Sequence, residues 1–222
     1  MIVVHHLNNS RSQRVLWLLE ELGLPYEIKH YKRDTKTMLA PASLKAVHPL
    51  GKSPVISDSG RVIAETGAII EYLVERHGRG RLSPVPGSDE HLRYRYWLHY
   101  AEGSLMPLLV MKLIFGHLAP SVPMLVRPVA KAIAKGVNDR FLGPNLQTHF
   151  GFVESELGKS TWFAGEEFSA ADVQMSFPLE AAMMRGGDTD GLPKIKAFVE
   201  RCKARPAYKK AMEKGGPFEL LR

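Results

Sequence analysis

Strand-like segments are confined to the first third of this 222-residue chain. Short apolar runs alternate with stretches of helical spacing as far as residue 78, and only helical spacing is found beyond residue 90. The proline-rich stretch 84–87 between them has the composition of a linker. The pattern therefore predicts an α/β domain over residues 1–79, a linker over 80–90 and an all-helical domain over 91–222.

Local spacing gives the order of elements in the first domain. Gly23 ends one helical stretch, and Asp58-Ser59-Gly60 separates two short apolar runs, as a hairpin turn does. Strands are predicted at 2–6, 26–30, 55–57 and 61–63, and helices at 12–22, 42–47 and 65–77. The predicted order is βαβαββα.

Prolines and one polar motif mark the expected helix boundaries of the second domain. A long helix over 91–118 should be bent or interrupted near Pro107. Ser169-Ala-Ala-Asp172 has the form of a capping box, with Asp in place of the usual Glu or Gln, and it opens an apolar helix. Further breaks or starts are expected at Pro128, Gly143-Pro144, Pro193 and Pro206.

The composition argues against several classes of protein. Apolar residues make up 45% and charged residues 24% of the chain, and no apolar run approaches the ~18 residues of a membrane span. The net charge of +7 is spread along the chain without a nucleic-acid-binding motif. A single cysteine, Cys202, excludes an internal disulfide. We expect a cytoplasmic protein that binds neither nucleic acid nor membrane and that uses no metal.

The segment 50–73 carries the clearest sign of a binding site. A proline at the mouth of a strand, in a cis Ser53-Pro54 bond, would turn the backbone of Val55 outward, where a peptide-like ligand can pair with it as a further strand. Glu65-Thr66 lies at a helix start, where converging N–H groups and the helix dipole favour a carboxylate. Together these features indicate a small peptide ligand with a free carboxylate.

On these residues the chain resembles the cytosolic glutathione S-transferases. The matching elements, in order, are Ser10 to Arg14 after the first strand, the segment 51–55, Glu65-Thr66 and the capping box at 169–172. The runs at 10–17 and 96–104 are most similar to the bacterial and fungal serine-type branch, which lacks a catalytic tyrosine. The resemblance implies a thioredoxin-like βαβαββα domain followed by an all-helical domain.

The same resemblance implies how the ligand is held. Glutathione would be the co-substrate, with Pro54 as the cis-proline and the Val55 backbone paired with the cysteinyl unit. Glu65 would take the γ-glutamyl amine and Thr66 the adjacent carboxylate.

The resemblance implies further contacts, from other residues of this chain and from a partner subunit. Lys52, and more weakly His48, would reach the glycyl carboxylate. Glu102 would approach from a partner subunit, since members of the family are usually homodimers. The second substrate would rest against the helix at 91–118. Most of the candidate residues there fit a helix core equally well; they are Tyr94, Trp97, His99, Met106, Leu109, Met111 and Phe115.

The expected chemistry needs a thiolate, because a free thiol of pKa about 8.5 is only a few per cent ionised at neutral pH. Lowering that pKa by ~2 units takes about 2.7 kcal/mol, much of which one hydroxyl donor can supply. The family places this donor after the first strand, and Ser10 is the candidate here, with Asn9 and Arg11 as alternatives. Ser12 is expected to be the N-cap of the following helix.

Three functions are compatible with this pattern. The first is conjugation of glutathione to small hydrophobic electrophiles, as in detoxification. The second is glutathione-dependent reduction of peroxides or disulfides by the same thiolate. The third is a non-catalytic glutathione- or ligand-binding protein.

Overall fold

The computed structural model describes residues 1–184 and 191–216, and its first half has the predicted βαβαββα order. The elements are β1 (Ile2–Leu7), α1 (Ser12–Leu22), β2 (Tyr26–Tyr31), α2 (Ala42–Lys45), β3 (Val55–Asp58), β4 (Arg61–Ala64) and α3 (Thr66–His77). The strands form one mixed sheet in the order β2-β1-β3-β4. Strands β1 and β2 are parallel, and the other two pairs are antiparallel.

The β3–β4 hairpin brings two parts of the segment 50–73 together. Its turn residues, Ser59 and Gly60, have φ of 50° and 79°, as the type I′ turn favoured in two-residue hairpins requires. Val55 at the start of β3 consequently pairs with Ala64 at the end of β4. The proline before β3 and the helix start after β4 therefore lie at the same edge of the sheet.

The second half is helical. Its helices are α4 (Asp89–Tyr100), α5 (Met106–Gly116), α6 (Arg127–Val137), α7 (Gly143–Glu156), α8 (Ala170–Met184), α9 (Pro193–Ala204) and α10 (Pro206–Gly215). The interruption expected near Pro107 is a π-helical turn, Ala101–Leu105, between α4 and α5. None of the described helices is long and apolar enough to cross a membrane.

The capping motif at the start of α8 works through its acid. The Asp172 carboxylate accepts hydrogen bonds from the Ser169 N–H at 2.8 Å, the Ser169 hydroxyl at 3.0 Å and the Phe163 N–H at 2.8 Å. Burial raises the pKa of Asp172 to about 6, although these hydrogen bonds act in the opposite direction. The carboxylate thus fixes the loop before α8 as well as the helix start.

Helix α1 joins the two halves into one apolar core. Residues 12–19 are buried on every face of the helix, because α1 contacts the sheet, α3, α8 and α10. Its Trp17 lies edge-on to Tyr208 of α10, with ring centroids 5.1 Å apart, and is tilted against Phe168. Helix α1, which follows the β1–α1 loop, therefore packs against both halves of the chain.

Candidate active site

An open cleft of about 510 Å³ lies at one edge of the sheet. Its walls come from the connections at 7–11, 33–40, 45–54 and 64–66, together with Glu102 from the second half. These connections meet because β1, β2 and β4 end, and β3 begins, at this edge. The volume lies within the usual range for small-molecule sites.

Pro54 lies in the cleft wall at the point where the chain enters the sheet. The Ser53–Pro54 peptide bond is cis. Val55 follows at once and pairs in register with His5 of β1 and Ala64 of β4, with its side chain fully buried. Ser53 and Pro54 therefore line the cleft, whereas Val55 lies between β1 and β4 and is not among the described residues that line it, so its backbone does not face outward as expected from the sequence.

Glu65 and Thr66 face the same cleft from the start of α3. Glu65 has φ of 70°, which is uncommon for a residue other than glycine, and its side chain makes no capping hydrogen bond to α3. Backbone strain of this kind costs about 1–3 kcal/mol and clusters at functional sites. Thr66 is the first residue of α3 and is buried. Glu65 is thus not an ordinary helix cap.

The opposite wall is basic. Lys52 is exposed there, and the Nδ1 of His48 is buried without a hydrogen-bond partner. Two further cations, Arg33 and Lys45, line this wall and were not singled out from the sequence. The Arg33 guanidinium is held by two backbone carbonyls at 3.3 and 3.1 Å. Such a wall favours carboxylates.

Gly51 shapes this wall through its backbone. Its φ of +56° lies in the left-handed region, and a Cβ placed on it would come within 2.6 Å of the Lys45 Cγ. Glycine at this position therefore lets the Lys45 side chain lie against the loop.

The β1–α1 loop supplies a group of hydroxyls. Ser10 is 5% exposed, and its Oγ lies 2.7 Å from the Ser12 Oγ and 3.1 Å from the Ser53 Oγ. We call Ser10, Ser12 and Ser53 the serine cluster. Among the described residues that line the cleft are Ser53 and Arg11, but neither Ser10 nor Asn9.

Ser12 is not the N-cap of α1, contrary to the expectation from sequence. Arg11 occupies that position, with helical backbone and no side-chain capping bond. The Ser12 hydroxyl is fully buried and lies 2.9 Å from Nδ1 of His6. The fold places this imidazole beside the helix start, and the hydroxyl pairs with it instead of with the helix amides.

Glu102, on the π turn, connects the second half to this loop. It forms ion pairs with Arg11, at 3.3 Å, and with Arg14 of α1. Arg14 is 2% exposed and also donates to the backbone carbonyl of Gln174 at 2.6 Å. Sequence led us to expect Glu102 from a partner subunit, but here it lines the cleft of its own chain. It holds the guanidinium of Arg11 at the cleft.

The candidates for a second-substrate pocket are mostly core residues, which is the alternative that their helical spacing leaves open. Trp97 is 1% exposed, with its ring centroid 4.5 Å from that of Phe163. The other buried candidates are Tyr94, Met106 and Leu109, whereas Met111 and Phe115 are partly buried and His99 is exposed. Residues that face a core and those that face a pocket have the same helical spacing, which is why the sequence did not separate them.

The cleft contains no thiol of its own. Among the described residues that line it there is neither a cysteine nor a tyrosine. Cys202 lies fully buried in α9, where burial raises the pKa of its thiol well above the usual range. A reacting thiol in this cleft would have to arrive with the ligand.

Comparisons with known proteins identify the family and the fold. The family model for "Glutathione S-transferase, N-terminal domain" matches residues 10–76, and that for "Glutathione S-transferase, C-terminal domain" matches residues 143–206. Glutathione S-transferase 3 of Schizosaccharomyces pombe is 36% identical over 96% of this chain and 88% of its own length. A disulfide-bond oxidoreductase of Escherichia coli is 26% identical over 96% of this chain and 95% of its own.

A solved structure shares the fold. The crystal structure of a glutathione S-transferase from Actinobacillus pleuropneumoniae superimposes with a TM-score of 0.79 at 34% identity, covering 99% of this chain and 95% of that one. The sequence identity with the Schizosaccharomyces enzyme and the two matching domain models lead to one conclusion. This chain belongs to the glutathione S-transferase family.

Proposed function

We propose that the protein binds glutathione in this cleft and transfers its thiolate to small hydrophobic electrophiles. The observation that carries the proposal is that one cleft joins the entrance of β3, the start of α3 and a basic wall. A tripeptide with one ammonium and two carboxylate groups is complementary to these three surfaces.

The proposed contacts follow the polarity of the cleft. The γ-glutamyl amine pairs with the Glu65 carboxylate, and the neighbouring carboxylate binds Thr66 at the positive end of the α3 dipole. The cysteinyl backbone pairs with the chain at the entrance of β3, beside Pro54 and before Val55. The glycyl carboxylate binds Lys52, with His48 nearby.

The proposed chemistry depends on the β1–α1 loop, as in the serine-type branch. The serine cluster, starting at Ser10, provides hydroxyl donors, while Arg11 adds positive charge at the cleft and Asn9 stays an alternative contributor. These groups favour the sulfur anion, which is the nucleophile. The sulfur then forms a bond to the electrophilic carbon, and the electron pair leaves with the departing group or moves into the acceptor.

A second candidate activity is the glutathione-dependent reduction of disulfides or peroxides. The observation that favours it is the Escherichia coli relative named as a disulfide-bond oxidoreductase. The same thiolate would attack sulfur or oxygen, and a second glutathione would complete the reduction by forming oxidised glutathione. A protein that only binds glutathione or an apolar ligand is the remaining alternative.

We propose that residues 1–79 form the glutathione-binding domain and residues 91–222 carry the second-substrate side. The protein would act in the cytoplasm as a homodimer, the usual assembly in its family. Sedimentation equilibrium of the purified protein tests the assembly, and a monomer at micromolar concentration would contradict it.

Capture on immobilised glutathione, followed by a panel of aryl halides, isothiocyanates, hydroperoxides and mixed disulfides, tests the function. Lys52→Ala should weaken capture, whereas Lys196→Ala, at an exposed position on α9, should not. Absence of binding at millimolar glutathione would overturn both enzymatic proposals. Binding without turnover of any substrate would support the non-catalytic alternative.

A further inference from the structure

The serine cluster ends at a buried histidine. Hydrogen-bond contacts run from Ser53 to Ser10 at 3.1 Å, from Ser10 to Ser12 at 2.7 Å and from Ser12 to Nδ1 of His6 at 2.9 Å. A serine hydroxyl has a single proton to donate, so the direction of each contact decides which hydroxyl keeps a proton for a ligand.

The tautomer of the imidazole sets that direction. Burial, assisted by His30, lowers the pKa of His6 to about 4, so the ring is neutral and carries one N–H. A neutral imidazole has one bare nitrogen, which can accept a hydroxyl proton. In the tautomer with the proton on Nε2, Nδ1 accepts the proton of Ser12.

In this tautomer the protons of the two inner serines, neither of which lines the cleft, are directed away from it. The Ser12 hydroxyl donates to His6, so the 2.7 Å contact between Ser12 and Ser10 uses the proton of Ser10. The Ser10 oxygen in turn accepts the backbone N–H of Ser12 at 3.3 Å. Ser10 has no second proton for a sulfur atom.

Ser53 is placed differently. It lines the cleft directly before Pro54 and Val55, and its acceptors are the Ser10 oxygen at 3.1 Å and the His5 carbonyl at 3.5 Å. Both contacts are longer than the inner ones of the cluster. The Ser53 proton is thus the one that can turn towards a ligand at small cost.

We propose that the Ser53 hydroxyl is the direct donor to the glutathione thiolate, and that Ser10, Ser12 and His6 are positioning residues behind it. The inference rests on the proposed function. No covalent step is involved for the serine: the thiol releases its proton to water, and Ser53 keeps its own proton while it hydrogen-bonds the sulfur anion. Ser10, the candidate from sequence, acts through Ser53.

The test measures the pKa of the bound glutathione thiol from the ultraviolet difference absorbance of the thiolate, together with glutathione affinity by calorimetry. Ser53→Val should raise the thiol pKa by about one to two units, the effect of losing a hydrogen bond to a charged acceptor. Threonine has nearly the same shape as valine but keeps the hydroxyl, so Ser53→Thr should have the wild-type thiol pKa. Ser43→Ala, on the exposed side of α2, is the control.

Ser10→Ala separates the two roles. If Ser10 only orients Ser53, its removal should shift the thiol pKa by about half a unit or less. A shift in Ser10→Ala as large as that in Ser53→Val, or an unchanged thiol pKa in Ser53→Val with glutathione still bound, would overturn the proposal. Failure of the wild-type protein to bind glutathione would instead refute the proposed function, so the two failures are distinguishable.

Discussion

Replacing Glu102 with alanine should destabilise the fold, because the buried Arg14 guanidinium loses its ion-pair partner. Arg14 is 2% exposed and keeps the Gln174 carbonyl at 2.6 Å. It also keeps the Phe177 ring, whose centroid is 5.0 Å from the guanidinium carbon, and a charge interaction with Glu180. Removing one partner of a fully buried pair costs about 3–5 kcal/mol, and an exposed pair is worth about 0–1 kcal/mol. Since the Glu102 side chain is 32% exposed and water can enter its place, we expect a loss of about 2 kcal/mol.

Urea unfolding, followed by tryptophan fluorescence and circular dichroism, measures this loss. Glu200→Ala is the matched control, because its 3.5 Å pair with Lys203 lies on the surface and its removal should cost less than about 0.5 kcal/mol. A double-mutant cycle with Arg14→Met isolates the coupling between Arg14 and Glu102. The double variant should cost about 1–2 kcal/mol less than the sum of the single variants.

Two results would refute this reasoning. One is an unfolding free energy of Glu102→Ala equal to that of Glu200→Ala, which would show that the remaining neighbours of Arg14 satisfy its charge. The other is strict additivity in the cycle, which would show that the two charges do not interact across the two halves of the chain.

Three further predictions concern carboxylates. Glu65→Gln should lower the affinity for glutathione about three- to tenfold in calorimetry, as expected for loss of a partly exposed ion pair. The affinity for an analogue that lacks the γ-glutamyl amine should not change. An equal loss of affinity for both ligands would place the amine elsewhere. Asp172→Asn should lower the unfolding free energy in urea by about 1–3 kcal/mol, because the amide NH₂ replaces a carboxylate oxygen that accepts hydrogen bonds from Phe163 or Ser169. An unfolding free energy equal to that of the wild type would show that water replaces this oxygen as the acceptor. Burial raises the pKa of Glu180 to about 7, so the stability that this carboxyl contributes is fully present below its ordinary value of 4.5 and is lost as pH rises through 7. The wild type should therefore lose stability relative to Glu180→Gln as pH rises, by roughly 2 kcal/mol between about pH 5 and pH 8. Parallel curves of unfolding free energy against pH for the two proteins would contradict this.

The sequence predicted what local spacing determines. The bounds of α1, the β3–β4 turn and the interruption before Pro107 depend on residues close to one another in the chain, and they were confirmed. The meeting of Pro54 and Glu65 also followed, because a short hairpin leaves few ways to connect them. Capping by Asp172 was expected from four consecutive residues.

Long-range contacts between polar side chains were not predictable in the same way. Ser10 and Ser53 are far apart in sequence, and nothing in either segment shows that their hydroxyls meet. Ser12 looked like a helix cap because its competitor, His6, lies on the preceding strand. The burial of Trp97 depends on helices that arrive much later in the chain, so a core position looked like a pocket position.

The π turn at Ala101–Leu105 sets the rotation of the helix that follows it. Its closing bond runs from the Met106 N–H to the Ala101 carbonyl, which places one more residue in the turn than an α-helix would hold. One residue corresponds to about 100° of rotation, so α5 presents a face different from the one that an unbroken helix would present. A relative that lacks one residue here would turn the buried Leu109 towards a different neighbour even if the rest of its sequence were identical. The α5 residues of such relatives therefore correspond to those of this chain only after a one-residue gap is placed in this turn.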